Sequence, residues 1–205
     1  MRERTTHTGM LFLVLSVLLW SGINPHDRFT WILEVLPALL GILILVFTYR
    51  RFKFTTLCYA LMATHMIILM VGGHYTYAQV PLFNWIKEIL DLSRNHYDRV
   101  GHFAQGFIPA IVAREILLRT SPLKRGKLLS VIIISICLAI SAFYELIEWW
   151  VAMATGTAAE AFLGTQGDIW DTQWDMFLAL CGAVTSLLLL SWLHNRSLKK
   201  LNCPQ

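Results

Sequence analysis

The sequence predicts an all-α, polytopic membrane protein: a bundle of six transmembrane helices with one short helix lying at the membrane surface. Three observations carry this expectation. The chain of 205 residues is 56% hydrophobic and only 15% charged, whereas a soluble domain holds about 25% charged residues. Its mean hydropathy is +0.56. Six apolar runs approach or reach the roughly 20 residues a helix needs to cross a bilayer. Finally, the basic residues alternate from loop to loop as a topology signal would require.

The runs follow in order. Residues 10–23 form an apolar stretch behind a short basic start (Arg2, Arg4). Its length also suits a signal-peptide core, but Trp20-Ser21-Gly22 is a poor cleavage site, so the sequence predicts an uncleaved first helix. The polar turn Asn24–Arg28 leads to a second span, 29–49, carrying Glu34, Pro37 and Gly41. A third span covers 55–72. Within Pro81–Leu92, Leu82, Trp85, Ile86 and Ile89 recur at helical spacing, the pattern of a short interfacial amphipathic helix. The fourth span, 100–118, holds Gly101, Gly106 and Pro109. The fifth is 128–150 and the sixth 176–193, with the acidic stretch GTQGDIWDTQWD (164–175) before the sixth. The whole chain, 1–205, reads as one transmembrane domain.

Placement of charge sets the orientation. The N-terminus, the 50–53 loop, the 114–127 segment and the tail hold 13 of the 17 Lys and Arg residues. Because such residues collect on the cytoplasmic side, both termini are expected in the cytoplasm. The net charge of +4 is therefore a topology signal and gives no support to nucleic-acid binding. Four cysteines, Cys58, Cys137, Cys181 and Cys203, lack the spacing of a disulfide framework or a zinc knuckle.

With that orientation, polar residues converge at the outer level. Asp98 and His102 are i and i+4 at the start of the fourth span, beside Arg94, His96 and Arg99. Glu145 and Glu148, i and i+3, close the fifth. Asp168, Asp171 and Asp175 are spaced by three, four and seven; were the stretch helical from Asp168, they would form one stripe. Glu34 and His74 enter from the same side, so five helices are expected to deliver ionisable groups to one depth. Ionisable residues in spans usually mark function. Three like charges on one stripe need a metal, a basic ligand or protons. The candidate metal ligands are His102, Asp98, Glu145, Asp168, Asp171 and Asp175, since imidazole with carboxylate suits Zn, Fe or Mn. Asp98, His102, Glu145, Glu148 and Asp171 are the candidate catalytic acids and bases. Arg99, Arg94 and His96 are the candidates for holding an anionic head group.

HYDRVGHF (96–103), YELIEWW (144–150) and GTQGDIWDTQWDM (164–176) resemble the YjdF family of bacterial inner-membrane proteins over essentially the full length. The second half is also similar in pattern to VanZ-like proteins. Those have Asp-(Lys/Arg)-x-x-His at a helix start, a Glu near the end of the next helix, and an acidic segment opening the last. Asp98, Arg99 and His102, then Glu145 or Glu148, then Asp168, Asp171 and Asp175 match these positions. The resemblance implies a multi-pass protein of the bacterial inner membrane, and the VanZ-like pattern implies a role with envelope lipids.

Three functional classes stay open, and the residues do not decide whether the chain is an enzyme. The first is binding, or metal-assisted processing, of an envelope lipid or other anionic amphiphile at a periplasm-facing His/Asp/Glu site with a divalent metal. The second is a small transporter or proton-coupled carrier, for which the Gly/Pro-broken fourth span speaks. The third is a non-enzymatic membrane assembly partner. Membrane lipids are the expected surroundings in all three.

Overall fold

A computed structural model describes residues 2–156 and 160–201. It comprises α1 (Arg2–Ser21), α2 (Arg28–Thr48), α3 (Thr56–His74), α4 (Pro81–Ile89), α5 (Tyr97–Thr120), α6 (Lys127–Thr155), α7 (Glu160–Leu163) and α8 (Asp171–Lys200), with no strand among the described residues. Four helices, α2, α3, α6 and α8, are long and apolar enough to cross a membrane. The two other long helices fall outside that set for a compositional reason. The first turns of α1 read RERTTHT, and α5 carries Asp98, Arg99, His102, Arg114 and Glu115.

Local chemistry explains the ends. Asp27 Oδ1 accepts the Thr30 N–H at 2.7 Å and opens α2, and the Thr55 hydroxyl accepts the Cys58 N–H and opens α3. Each satisfies a donor that the helix cannot. α4 begins with Pro81 at its first turn and leaves Leu82, Trp85 and Ile89 about 60% exposed, as an interfacial helix would. Cys58, Cys137 and Cys181 are free thiols; Cys203 lies outside the described residues.

Three boundaries at α6 and α8 differ from the sequence expectation. α8 starts at Asp171, so Asp168 is not on its stripe. Asp168 sits in the preceding turn, where its Oδ1 accepts the Trp170 N–H at 2.9 Å, a local side-chain bond that competes with helix. α8 also continues to Lys200 through the polar HNRSLKK, and α6 to Thr155 through VAMAT.

The centre of the bundle is the pairing of α5 with α8. A Cβ on Gly106 would fall on the backbone of Ala179, and one on Gly182 on the backbone of Phe103. Only glycine permits this approach, the small-residue packing that membrane helices use. The crossing brings the first turns of α5 against those of α8, with α6 packed on both. α5 is polar at both ends and apolar between them, Ala110 and Ile111 being fully buried.

Candidate functional site

The acidic stretch is tied down by α5. Gln166 bonds the Asn95 backbone in both directions, its Oε1 accepting the Asn95 N–H and its Nε2 donating to the Asn95 carbonyl, each at 2.9 Å. Arg94, just before α5, bonds Asp171 and donates to Asp98 Oδ2 at 3.3 Å and to the Gly164 carbonyl at 3.2 Å. Arg99 donates to Asp168 Oδ2 at 2.6 Å and lies 5.1 Å from the Trp174 ring. The Trp170 N–H and then Arg99 hold the Asp168 carboxyl below the usual aspartate range. The two arginines thus supply the positive charge that Asp168 and Asp171 need. They are the candidate head-group residues, and both are engaged on carboxylates. His96 occupies the N-cap of α5, and burial pushes its imidazole down.

One helical turn further in, the balance changes. His102 Nε2 faces Asp98 Oδ1 at 3.5 Å and Asp175 Oδ2 at 3.9 Å. Its Nδ1 faces Gln105 Oε1 at 3.0 Å and Glu145 Oε1 at 3.8 Å. All four ionisable groups are buried, and Glu148 is buried beside them. Glu34 on α2 accepts from the Tyr144 hydroxyl at 3.2 Å, and the Tyr144 ring is edge-on to His102 at 6.5 Å. Among the described residues, Glu34, Glu145, Glu148 and Asp175 have no Lys or Arg within ion-pair distance. Glu145 Oε1 and Asp175 Oδ1 are buried and without a hydrogen-bond partner among the described residues. Buried polar atoms are nearly always bonded, and these two carboxylate oxygens are free to accept from a proton or a cation.

A metal fits the inner layer chemically. Asp98, His102 and Asp175 offer ligand atoms within 4.8 Å of one another, as do His102, Glu145 and Glu148. The Gln105 carbonyl oxygen can accept from His102 Nδ1–H, which would free Nε2, facing Asp98 and Asp175, for a metal, the arrangement metal-bound histidines adopt.

Of the five helices expected to bring ionisable groups to one depth, not all meet in one cluster. α2, α5, α6 and α8 reach the site. His74 does not: its Nδ1 bonds the Ser21 carbonyl at 2.9 Å and its ring stacks on Trp20 at 4.6 Å, so it fastens α3 to α1. Gln105 and Tyr144 were not evident in the sequence as site residues, since neither is ionisable at neutral pH. Nor was a second polar cluster at the other end of α5. There Glu115 Oε1 accepts from the Thr55 N–H at 2.9 Å and from Arg119 at 2.7 Å. Its Oε2 accepts from the Thr55 hydroxyl at 2.7 Å, the Cys58 thiol at 3.1 Å and His194 Nε2 at 3.0 Å. The signal available was an acid inside a span, masked because His194 falls just beyond the apolar run.

Comparison with known proteins agrees with this picture of a membrane bundle. Residues 6–196 match the family model described as "Predicted membrane protein (DUF2238)". The chain belongs to the DUF2238 membrane-protein family. It is also 50% identical, over 194 residues, to the inner membrane protein YjdF of Escherichia coli (strain K12), covering 95% of this chain and 92% of that protein. No solved structure matches. This DUF2238 chain is therefore a homologue of a bacterial inner-membrane protein, and the YjdF resemblance of its motifs holds over nearly the whole length.

Proposed function

We propose that this DUF2238 protein spans the inner membrane six times, α1 and α5 included, with both termini in the cytoplasm, and binds a divalent metal at the periplasmic ends of α5, α6 and α8. Asp98, His102, Glu145 and Asp175 are the ligands; Asp168 and Asp171 belong to the arginine layer above them. The observation that carries this reading is the pair of buried, unpartnered oxygens on Glu145 and Asp175 flanking His102. The ligand class is an anionic envelope amphiphile. Exposed Trp149, Trp150, Ile169 and Trp170 flank the acidic residues in sequence and supply an apolar rim for its chain, and Arg99, only partly held by Asp168, meets its head group. A bound metal would polarise that head group, with Glu148 as the acid or base nearest the cage.

The test is metal content of the detergent-purified protein by elemental mass spectrometry, next to a His102→Ala, Glu145→Gln double variant. Near-stoichiometric metal in the parent and none in the variant is expected. Absence of metal from a folded parent would sink the metal reading. The same site would then hold protons, which favours the proton-coupled carrier. Against the carrier stands Gly106, which is filled by Ala179 and so lines a packing contact instead of a path. An assembly partner without chemistry would tolerate the double variant entirely.

A further inference from the structure

α1 and α2 both pack chiefly on α3, and between them they leave a cleft. The cleft has a volume of about 260 Å³. Met10, Val14, Ile42 and Leu45 form its walls, and Ala63 and Met66 of α3 its floor. One end is polar. His7 is buried there and is bonded on both sides, to the Tyr49 hydroxyl at 2.9 Å and the Thr56 hydroxyl at 3.0 Å, so it closes the cleft as a fixed element. Arg4 stands at the mouth, exposed and lining the cleft. The neighbouring Lys53 is taken by Glu3 at 2.7 Å, whereas Arg4 makes no ion pair among the described residues. Arg50 and Arg51 follow Tyr49 directly and are exposed.

The length of the cleft fits one leaflet. Arg4 and Val14 are ten residues apart on α1, about 15 Å at 1.5 Å per residue, half of a hydrocarbon core of about 30 Å. A cationic mouth at one membrane surface, a fixed polar layer below it and an apolar trough reaching the midplane match a phospholipid in shape and charge. Basic segments at the membrane edge attract anionic lipids.

We propose that this cleft holds one acyl chain of an anionic phospholipid from the leaflet at the basic end of the bundle, with the phosphate on Arg4. The site is separate from the His102 cage and does not depend on metal there.

Native mass spectrometry of the intact protein tests this, with phosphatidylglycerol and phosphatidylcholine of identical chains as the two probes. One phosphatidylglycerol should survive activation that strips phosphatidylcholine. Arg4→Gln, at an exposed position, should abolish that preference. Val46→Trp should lose both lipids, because it fills the cleft from a side chain that is 54% exposed and outside the core. Equal retention of the two lipids by the parent overturns the assignment of the head group. Unchanged phosphatidylglycerol retention by Val46→Trp, with the parent's thermal melt, overturns the cleft as the site.

Discussion

α5 carries a buried acid cluster at each end, and the two ends are built oppositely. At the C-terminal end a single carboxylate, Glu115, receives five donors. At the N-terminal end several carboxylates surround one imidazole, and two of their oxygens receive none. The histidines differ in the same sense. His194 Nδ1 faces Arg114 at 2.7 Å, and because arginine only donates, that nitrogen must accept; Nε2 then carries the proton given to Glu115. No lone pair is left for a metal, although Cys58, Glu115 and His194 are close enough to form one ligand set. His102 has the reverse arrangement, with Gln105 accepting at Nδ1. Proximity of ligand types is thus a poor guide to a metal site. What separates a clamp from a receptor is whether the hydrogen bonds already close.

The strongest way to break this comparison is Glu115→Ala. It would remove the carboxylate shared by Arg119, His194 Nε2 and the start of α3, and loss of one partner of a buried ionic network costs roughly 3–5 kcal/mol. A large fall in thermal midpoint in detergent is expected, with metal per folded protein unchanged. Glu145→Gln should do the opposite, losing metal while the midpoint of the metal-stripped protein does not fall, since it relieves like charge in an under-bonded site. Equal destabilisation by the two variants would abolish the distinction between the ends.

Intermediate effects come next. Gly106→Ala forces a methyl onto the Ala179 backbone, and overpacking of this kind costs about 1–3 kcal/mol. Since the crossing sets how α5 faces α8, metal affinity should fall with stability; a stable variant with full metal would show that the crossing does not position the cage. Gln105→Leu should weaken metal binding about 10–100-fold with little change in the melt, as removal of the group orienting a ligand histidine does. Titration against a competing chelator reads this directly.

The smallest effect is expected at Asp168. Its folded carboxyl titrates below its unfolded range, so its contribution is present above about pH 4 and is lost as the pH falls through the lower folded value. Asp168→Asn should flatten that acid limb of the melting curve and leave the neutral midpoint almost unmoved. An unchanged acid limb would mean that the Arg99 contact contributes nothing.

The helical architecture was legible because apolar runs of bilayer length admit few alternatives, and Asp98, His102, Glu145 and Asp175 were legible because ionisable residues stand out in such runs. What the runs cannot display is pairing. Nothing in the spacing of Asp168, Asp171 and Asp175 indicates that Arg94 and Arg99 come back to cover the first two and leave the third. The Glu115 clamp was hidden for a related reason. Its partners, Thr55, Cys58 and His194, are ordinary residues at helix ends, and only the glycine crossing and the extra turns of α8 bring the last of them within reach.

Asp98 and Glu115 are seventeen positions apart on one unbroken helix, about 25 Å at 1.5 Å per residue, and a glycine contact locks that helix to its neighbour between them. In the six-span topology proposed above, where α5 crosses the bilayer, the distance between the polar layers acts as a fixed gauge of membrane thickness. A bilayer much deeper than the roughly 30 Å average would pull one layer into hydrocarbon or force the whole bundle to tilt. That topology would match the fold to thin bilayers, and lengthening the lipid chains should then stress both ends of the molecule together.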